Sequence, residues 1–242
     1  SLINELKNRI LFKDKDILAL DKPSGLAVQG GTKTTQHLDA VLDSLKFGAK
    51  ERPRLTHRLD RDTSGVLLLA RSRDAARWLT TAFRNREPEK LYWALVAGCP
   101  LKSQGLISVP IQKLPGRKGE KMLVVEEGKV TETFFKVVDS AGQKITWIAM
   151  KPRTGRTHQL RAHATWALQT PIIGDRKYGG SIAFPAGLPH SQTLQLHSRA
   201  IKFKNPDGRL LELQAPLPEE MSANFKFLGF LENDKKATIT DN

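Results

Sequence analysis

The sequence predicts an α+β fold built on one large, mostly antiparallel sheet, and three observations carry that prediction. Short apolar runs of strand length recur along the chain, divided by turns rich in glycine, proline and asparagine. Only four stretches space their apolar residues as a helix would. The chain has 242 residues, 39% of them hydrophobic, which is enough to bury a core.

The elements follow in order. Ile17 to Leu20 is an apolar run that ends in Asp21-Lys22-Pro23-Ser24-Gly25, a strand closing in a turn. Gly30 and Gly31 mark a second turn. Leu38, Val41, Leu42 and Leu45 recur at helical spacing before Pro53 breaks the pattern. Val66 to Ala70 reads as a buried strand. A helix follows with Ala75, Trp78, Leu79 and Phe83 on its inner face, and Asp74 near Ser72 helps to cap it. Tyr92 to Ala97 reads as a strand stopped by Gly98 and Pro100. From Leu106 to Met150 the signals are β, with runs at Met122–Val125, Phe134–Val138 and Ile145–Met150. The basic stretch from Lys113 to Lys121 is an exposed loop. Thr157 to Leu168 predicts a helix, and Ala183 to Gln192, with Pro185, Gly187 and Pro189, predicts a loop. Leu194–Phe203 and Leu211–Leu213 predict strands joined by a turn at Asn205-Pro206-Asp207-Gly208. Pro218 and Glu219 open a last helix reaching Leu231, and residues from Asn233 onward predict a frayed polar tail.

Charge narrows the partner. Lys and Arg number 39 against 25 Asp and Glu, a net charge of +14. Such a surplus suits a polyanion, because each phosphate contact releases counterions. One cysteine, Cys99, excludes an internal disulfide framework. No run approaches the length of a membrane span, and the first ten residues lack a signal-peptide core. No phosphate-binding glycine motif and no nucleophile elbow is present, which disfavours nucleotide cofactors and serine hydrolysis. The histidines at 37, 57, 158, 163, 190 and 197 show no metal-ligand spacing, so neither a metal nor a metal-dependent nuclease is expected.

Two segments concentrate chemistry. The first runs from Thr56 to Gly65 and places Asp60 and Asp62 two apart, beside Arg58 and Arg61. An ionised, positioned carboxylate serves as a nucleophile or a base. In an extended chain the two carboxylates share a face, whereas a turn parts them, so spacing leaves the two aspartates equal. The second segment runs from Lys151 to His163 and packs Arg153, Arg156 and Arg161 around a helix start, where anions are favoured. Lys90 and Tyr92 face the same way on a strand, and a tyrosine ring can stack on a nucleobase.

Together these segments resemble the RluA-type pseudouridine synthases, the group that includes large-subunit rRNA enzymes of the RluC and RluD kind. The resemblance begins at Ile17-Leu18-Ala19-Leu20-Asp21-Lys22-Pro23-Ser24-Gly25-Leu26. It continues through His57-Arg58-Leu59-Asp60-Arg61-Asp62-Thr63-Ser64-Gly65, Lys90-Leu91-Tyr92 and Gly155-Arg156-Thr157-His158-Gln159-Leu160-Arg161-Ala162-His163. It ends with Pro171-Ile172-Ile173-Gly174-Asp175, Tyr178-Gly179-Gly180, Leu196-His197 and Ala215-Pro216-Leu217-Pro218.

The resemblance implies a curved mixed sheet with a central active-site cleft flanked by helices and loops. It implies isomerisation of uridine to pseudouridine in structured RNA, with large-subunit rRNA first and tRNA second, and without cofactor or metal. By the same resemblance Asp60 is the catalytic aspartate, Tyr92 contacts the target base and Arg161 pairs with Asp60. Arg58, His57, Arg156, Leu160 and Lys90 then bind substrate, Leu160 by lining the pocket, and Asp62 plays a supporting part. An RNA-binding assembly factor that has kept the fold is the alternative. The expected layout is a catalytic domain over 1–232 and a polar tail over 233–242, with no separate N-terminal RNA-binding domain in this chain. A monomer in the cytoplasm is expected, or in an organelle if a transit peptide has been removed.

Overall fold

The computed structural model describes residues 1–30, 36–113 and 121–238. Gly31 and most of the basic loop lie outside them. The chain divides into two compact units, Ser1–Lys90 with Ser198–Leu217, and Leu91–His197 with Pro218–Asn242.

In the first unit a short helix α1 (Leu2–Lys7) precedes β1 (Ile10–Lys13) and β2 (Ile17–Lys22). β3 (Arg54–Leu55), β4 (Ser64–Ala70), β10 (Leu196–Lys204) and β11 (Leu210–Gln214) complete its strands, β10 belonging to this unit from Ser198 onward. The order is β1-β2-β4-β10, with β11 on β10 and β3 on β4. β2 pairs with β4 antiparallel, from Ile17 opposite Ala70 to Lys22 opposite Gly65. All seven residues of β4 are buried, which is why it reads as an unbroken apolar run rather than an alternating one.

One helix, α2 (Arg73–Arg84), lays Ala75, Leu79 and Phe83 on a core of Ile17, Ala19, Leu68, Ile201 and Phe203. Its cap is Ser72, whose hydroxyl accepts from the Ala75 amide at 3.1 Å. Asp74 sits in the first turn, where a carboxylate favours the helix dipole without closing the cap.

The second unit holds β5 (Glu89–Ala97, in this unit from Leu91), β6 (Gln104–Lys113), β7 (Met122–Val124), β8 (Lys129–Ala141) and β9 (Ile145–Pro152). They run in the order β5-β9-β8-β6-β7, and each of these pairings is antiparallel. Trp93, Trp147, Phe225 and Phe230 form an aromatic cluster, and α4 (Glu219–Leu228) contributes its Phe225.

Four expectations change. Leu38–Leu45 is 3₁₀ rather than α, with Leu38, Leu42 and Leu45 buried and the His37 ring capping the Ala40 amide. Two aspartates, a serine and a valine in that segment weaken the α form. The helix expected over 157–168 is α3 (Gln159–Ala162) followed by a π-helical turn at His163–Ala167. It starts late because His158 is left-handed, at φ 51°. α4 stops at Leu228, where Gly229 turns left-handed at φ 77°. The tail is ordered through Ala237, whose carbonyl accepts the indole N–H of Trp93 at 3.0 Å. Such an acceptor spares the buried Trp93 an unmet donor, and only residues 239–242 of the tail lie outside the description.

Candidate active site

The turn after β2 and the segment before β4 are tied to each other in the first unit. Lys22 is 1% exposed, and its ammonium donates to the carbonyls of Pro23, Leu26 and Arg61, each at 2.8 Å. Burial pushes its pKa down to about 7, against the pull of Asp62 and Asp60. The Gly25 amide donates to the same Arg61 carbonyl at 2.8 Å, and the Ser24 hydroxyl donates to the Asp62 carbonyl at 2.9 Å. The Thr63 amide closes a turn onto the Asp60 carbonyl at 3.1 Å. Three successive carbonyls, from Asp60 to Asp62, are thus all engaged.

The two aspartates of that turn differ in their partners. The Asp62 carboxylate is held by the Arg61 fork, at 3.1 Å and 3.2 Å. Within its own unit, and among the described residues, the half-buried Asp60 carboxylate takes no hydrogen bond or ion pair. Its backbone is fixed and its oxygens are available, as a reacting carboxylate requires.

His57 has a different task from Asp60. Its Nε2 accepts from the Leu68 amide at 2.9 Å, and its ring stacks on Phe83 at 4.5 Å between centroids. Burial, with Lys90 nearby, pushes its pKa down to about 3, so it is a neutral ring that pins β4. Burial also lowers the pKa of Lys90. Arg58 is exposed.

The second unit wires the other motif just as closely. Arg161, 8% exposed, meets Asp175 with two bonds, Nε–H to Oδ2 at 3.0 Å and an Nη2 hydrogen to Oδ1 at 2.7 Å. Asp175 is fully buried and also accepts from the amides of Lys177 and Tyr178. A buried carboxylate is tolerated because every bond to it is a donor aimed at negative charge. The two-point carboxylate partner of Arg161 in its own unit is therefore Asp175. The Tyr178 ring lies 5.2 Å from the Arg161 guanidinium, and its hydroxyl joins the Met122 amide to His158 Nδ1.

Gln159 and His163 anchor the short helix that carries Arg161. The Gln159 amide donates to the Glu132 carbonyl at 3.0 Å and to the Thr133 hydroxyl at 2.9 Å. His163 lies between the Thr131 and Thr133 hydroxyls, 2.8 Å from each. Thr131 spends its proton on the Val109 carbonyl, so it accepts from His163 Nε2. Thr133 then donates to Nδ1. Burial pushes the His163 pKa down to about 4, in keeping with this neutral arrangement. Leu160 is buried, Arg156 is exposed, and Tyr92 is 8% exposed on β5, opposite Met150 on β9.

The candidate residues are thus distributed: Asp60, Arg58, His57 and Lys90 in the first unit, and Tyr92, Arg156, Leu160 and Arg161 in the second. Lys22, Asp175, Gln159 and His163 carry positioning work that spacing did not assign. Their only sequence signal was membership of the matched segments. Among the described residues no group of three or more His, Cys, Asp or Glu is placed to hold a metal, and no helix is long and apolar enough to cross a membrane.

Comparison with known proteins decides the family. The RNA pseudouridylate synthase model matches residues 16–166, well over half the chain. The chain belongs to the RNA pseudouridylate synthase family. An uncharacterized RNA pseudouridine synthase of Zymomonas mobilis is 37% identical over 227 residues, covering 93% of this chain and 99% of that protein. The ribosomal large subunit pseudouridine synthase C of Pasteurella multocida is 37% identical over 238 residues, covering 97% of this chain and 71% of that one. With the mitochondrial RNA pseudouridine synthase 4 of Arabidopsis thaliana the identity is 35% over 286 residues, and the chain spans 59% of that relative's length. The solved structure of human RNA pseudouridylate synthase domain containing 4 superposes with TM-score 0.79 at 27% identity, covering 94% of this chain and 95% of that one. The fold is a pseudouridine synthase fold with a mixed, mostly antiparallel sheet, and the protein is an isomerase of RNA uridine.

Proposed function

We propose that this enzyme isomerises defined uridines of large-subunit rRNA and that Asp60 is its catalytic carboxylate. The observation that carries the assignment is the contrast between the two aspartates. Asp62 is spent on Arg61, while Asp60, within its unit and among the described residues, is held through its backbone. The resemblance to the Pasteurella ribosomal large subunit pseudouridine synthase C supports the choice of RNA.

The reaction breaks the bond between N1 of uracil and C1′ of ribose, and makes a bond between C5 and the same C1′. The C5 hydrogen leaves as a proton and N1 gains one, so no electron acceptor is needed. Asp60 attacks C1′, adds to the uracil ring, or takes a sugar proton as the base departs. Each role needs the ionised form, and positive charge developing on the sugar favours a carboxylate beside it. Tyr92 stacks on and positions the base, since a phenol is a poor base near neutrality. Arg161, aimed by Asp175, supplies fixed positive charge, and Leu160 lines the pocket. Arg58 and Arg156, both exposed, engage RNA phosphates, and Lys90 binds substrate from the strand of Tyr92. The target nucleotide leaves its stack at a cost of a few kcal/mol, offset by those phosphate contacts. The enzyme works as a monomer in the cytoplasm.

Asp60→Asn tests the assignment, because the amide keeps the shape and removes the charge. Turnover on rRNA drops below detection while RNA affinity stays within a few-fold. Turnover near the wild-type rate would move the catalytic role elsewhere.

A further inference from the structure

The outer face of α2 carries a row of cations that the site above does not use. Arg73, Arg77 and Arg84 are all exposed on this one helix, four and then seven residues apart, so they share a face. Arg9, Arg52, Arg54, Arg61, Arg161 and Arg209 each hold a carboxylate within 4.0 Å. Among the described residues Arg73, Arg77 and Arg84 hold none. The helix has one acid, Asp74, against these three arginines.

Beside the row stands Trp78, 42% exposed, whose indole N–H donates to the Lys204 carbonyl at 3.2 Å. That bond fixes the ring on the surface instead of letting it fold into the core. Exposed arginines without partners lose little solvation when they meet phosphate, and they bind it in two-point fashion. Arg73 and Arg77 rise about 6 Å apart along the axis, a step on the scale of successive phosphates in an RNA strand.

We propose that the α2 ridge of Arg73, Arg77 and Arg84, with Trp78, is an RNA-backbone docking surface that grips substrate outside the uridine it modifies. The inference rests on the chain acting on RNA, but not on which RNA. Phosphate contacts are independent of sequence, so the ridge acts on any structured RNA long enough to reach it. Its effect falls on KM rather than kcat.

The test is the double variant Arg77→Ala/Arg84→Ala, with Arg77→Lys/Arg84→Lys as the charge-retaining control. Thermal melting of each variant shows that the fold is kept. Binding is measured by filter retention on a long structured RNA and on a minimal stem-loop, across a salt series. The alanine pair should weaken binding to the long RNA about tenfold at low salt and flatten the log–log salt slope by about 1.5, two phosphate contacts' worth. The lysine pair should restore most of both. Binding to the minimal stem-loop should change less than twofold, and on a long rRNA substrate KM should rise while kcat stays within twofold. Wild-type affinity and slope in the alanine pair would overturn the ridge, as would an equal loss on both RNAs. Failure of the rRNA assignment would show separately, as absence of turnover by the wild-type enzyme on rRNA with its RNA binding intact.

Discussion

At the scale of single residues, chemistry here depends on groups whose own part is mute. Lys22 and His163 are buried polar side chains with every hydrogen placed on a partner, Lys22 on the turn that leads to Asp60 and His163 on the strand beneath the helix of Arg161. Spacing alone could not rank Asp60 above Asp62, because the ranking depends on a turn at 60–63 and on where the Arg61 fork lands. Nor could it see Asp175, since one aspartate in an apolar run looks like any other until Arg161 meets it. His163 has a further consequence. Its folded pKa of about 4 lies below the ordinary value of 6.5, because burial disfavours the cation. Between those values the unfolded chain takes up a proton at this position and the folded chain does not. The stability that neutral His163 contributes is therefore fully present above about pH 6.5 and is lost as pH falls through about 4, at up to about 1.4 kcal/mol per pH unit. Urea unfolding at a series of pH values should show this slope, and His163→Gln should show a shallower one. An unchanged slope in the variant would mean that His163 takes up its proton equally in the folded and the unfolded chain.

At the scale of elements, the strands were the most legible part. Val66–Ala70 and Tyr92–Ala97 are apolar runs of strand length, and both lie inside observed strands. The helices were less legible, because one is 3₁₀ and another gives way to a π-helical turn after four residues. The π-helical turn at His163–Ala167 opens on the residue that docks on Thr131 and Thr133, and no periodicity encodes that register. β1 was invisible because four residues before a polar turn give no pattern. Gly65 shows how one position sets an element. It has φ +112°, and a β-carbon there would lie 2.1 Å from the Ser198 carbonyl oxygen of β10. Gly65→Ala combines a forbidden conformation with a backbone clash, so β4 and β10 cannot keep their spacing. The expected loss is about 3 kcal/mol or more of unfolding free energy, read from the denaturant midpoint. A loss below about 1 kcal/mol would show that the strands move apart easily.

At the scale of the whole molecule, the surplus of positive charge foretold a polyanion, and the matched segments foretold the family. What charge could not say is where RNA lies. The arginines of α2, which hold no carboxylate among the described residues, are the surface proposed above, since elsewhere many cations are neutralised by neighbouring acids. The central claim is that this chain makes pseudouridine in large-subunit rRNA through Asp60. A pseudouridine map of total RNA tests it most directly, taken from cells lacking the gene and complemented with either wild-type protein or Asp60→Asn. The account predicts that defined large-subunit uridines lose modification without the gene, regain it with the wild type and stay unmodified with Asp60→Asn. Modification restored by Asp60→Asn, or a map unchanged by loss of the gene, would contradict it.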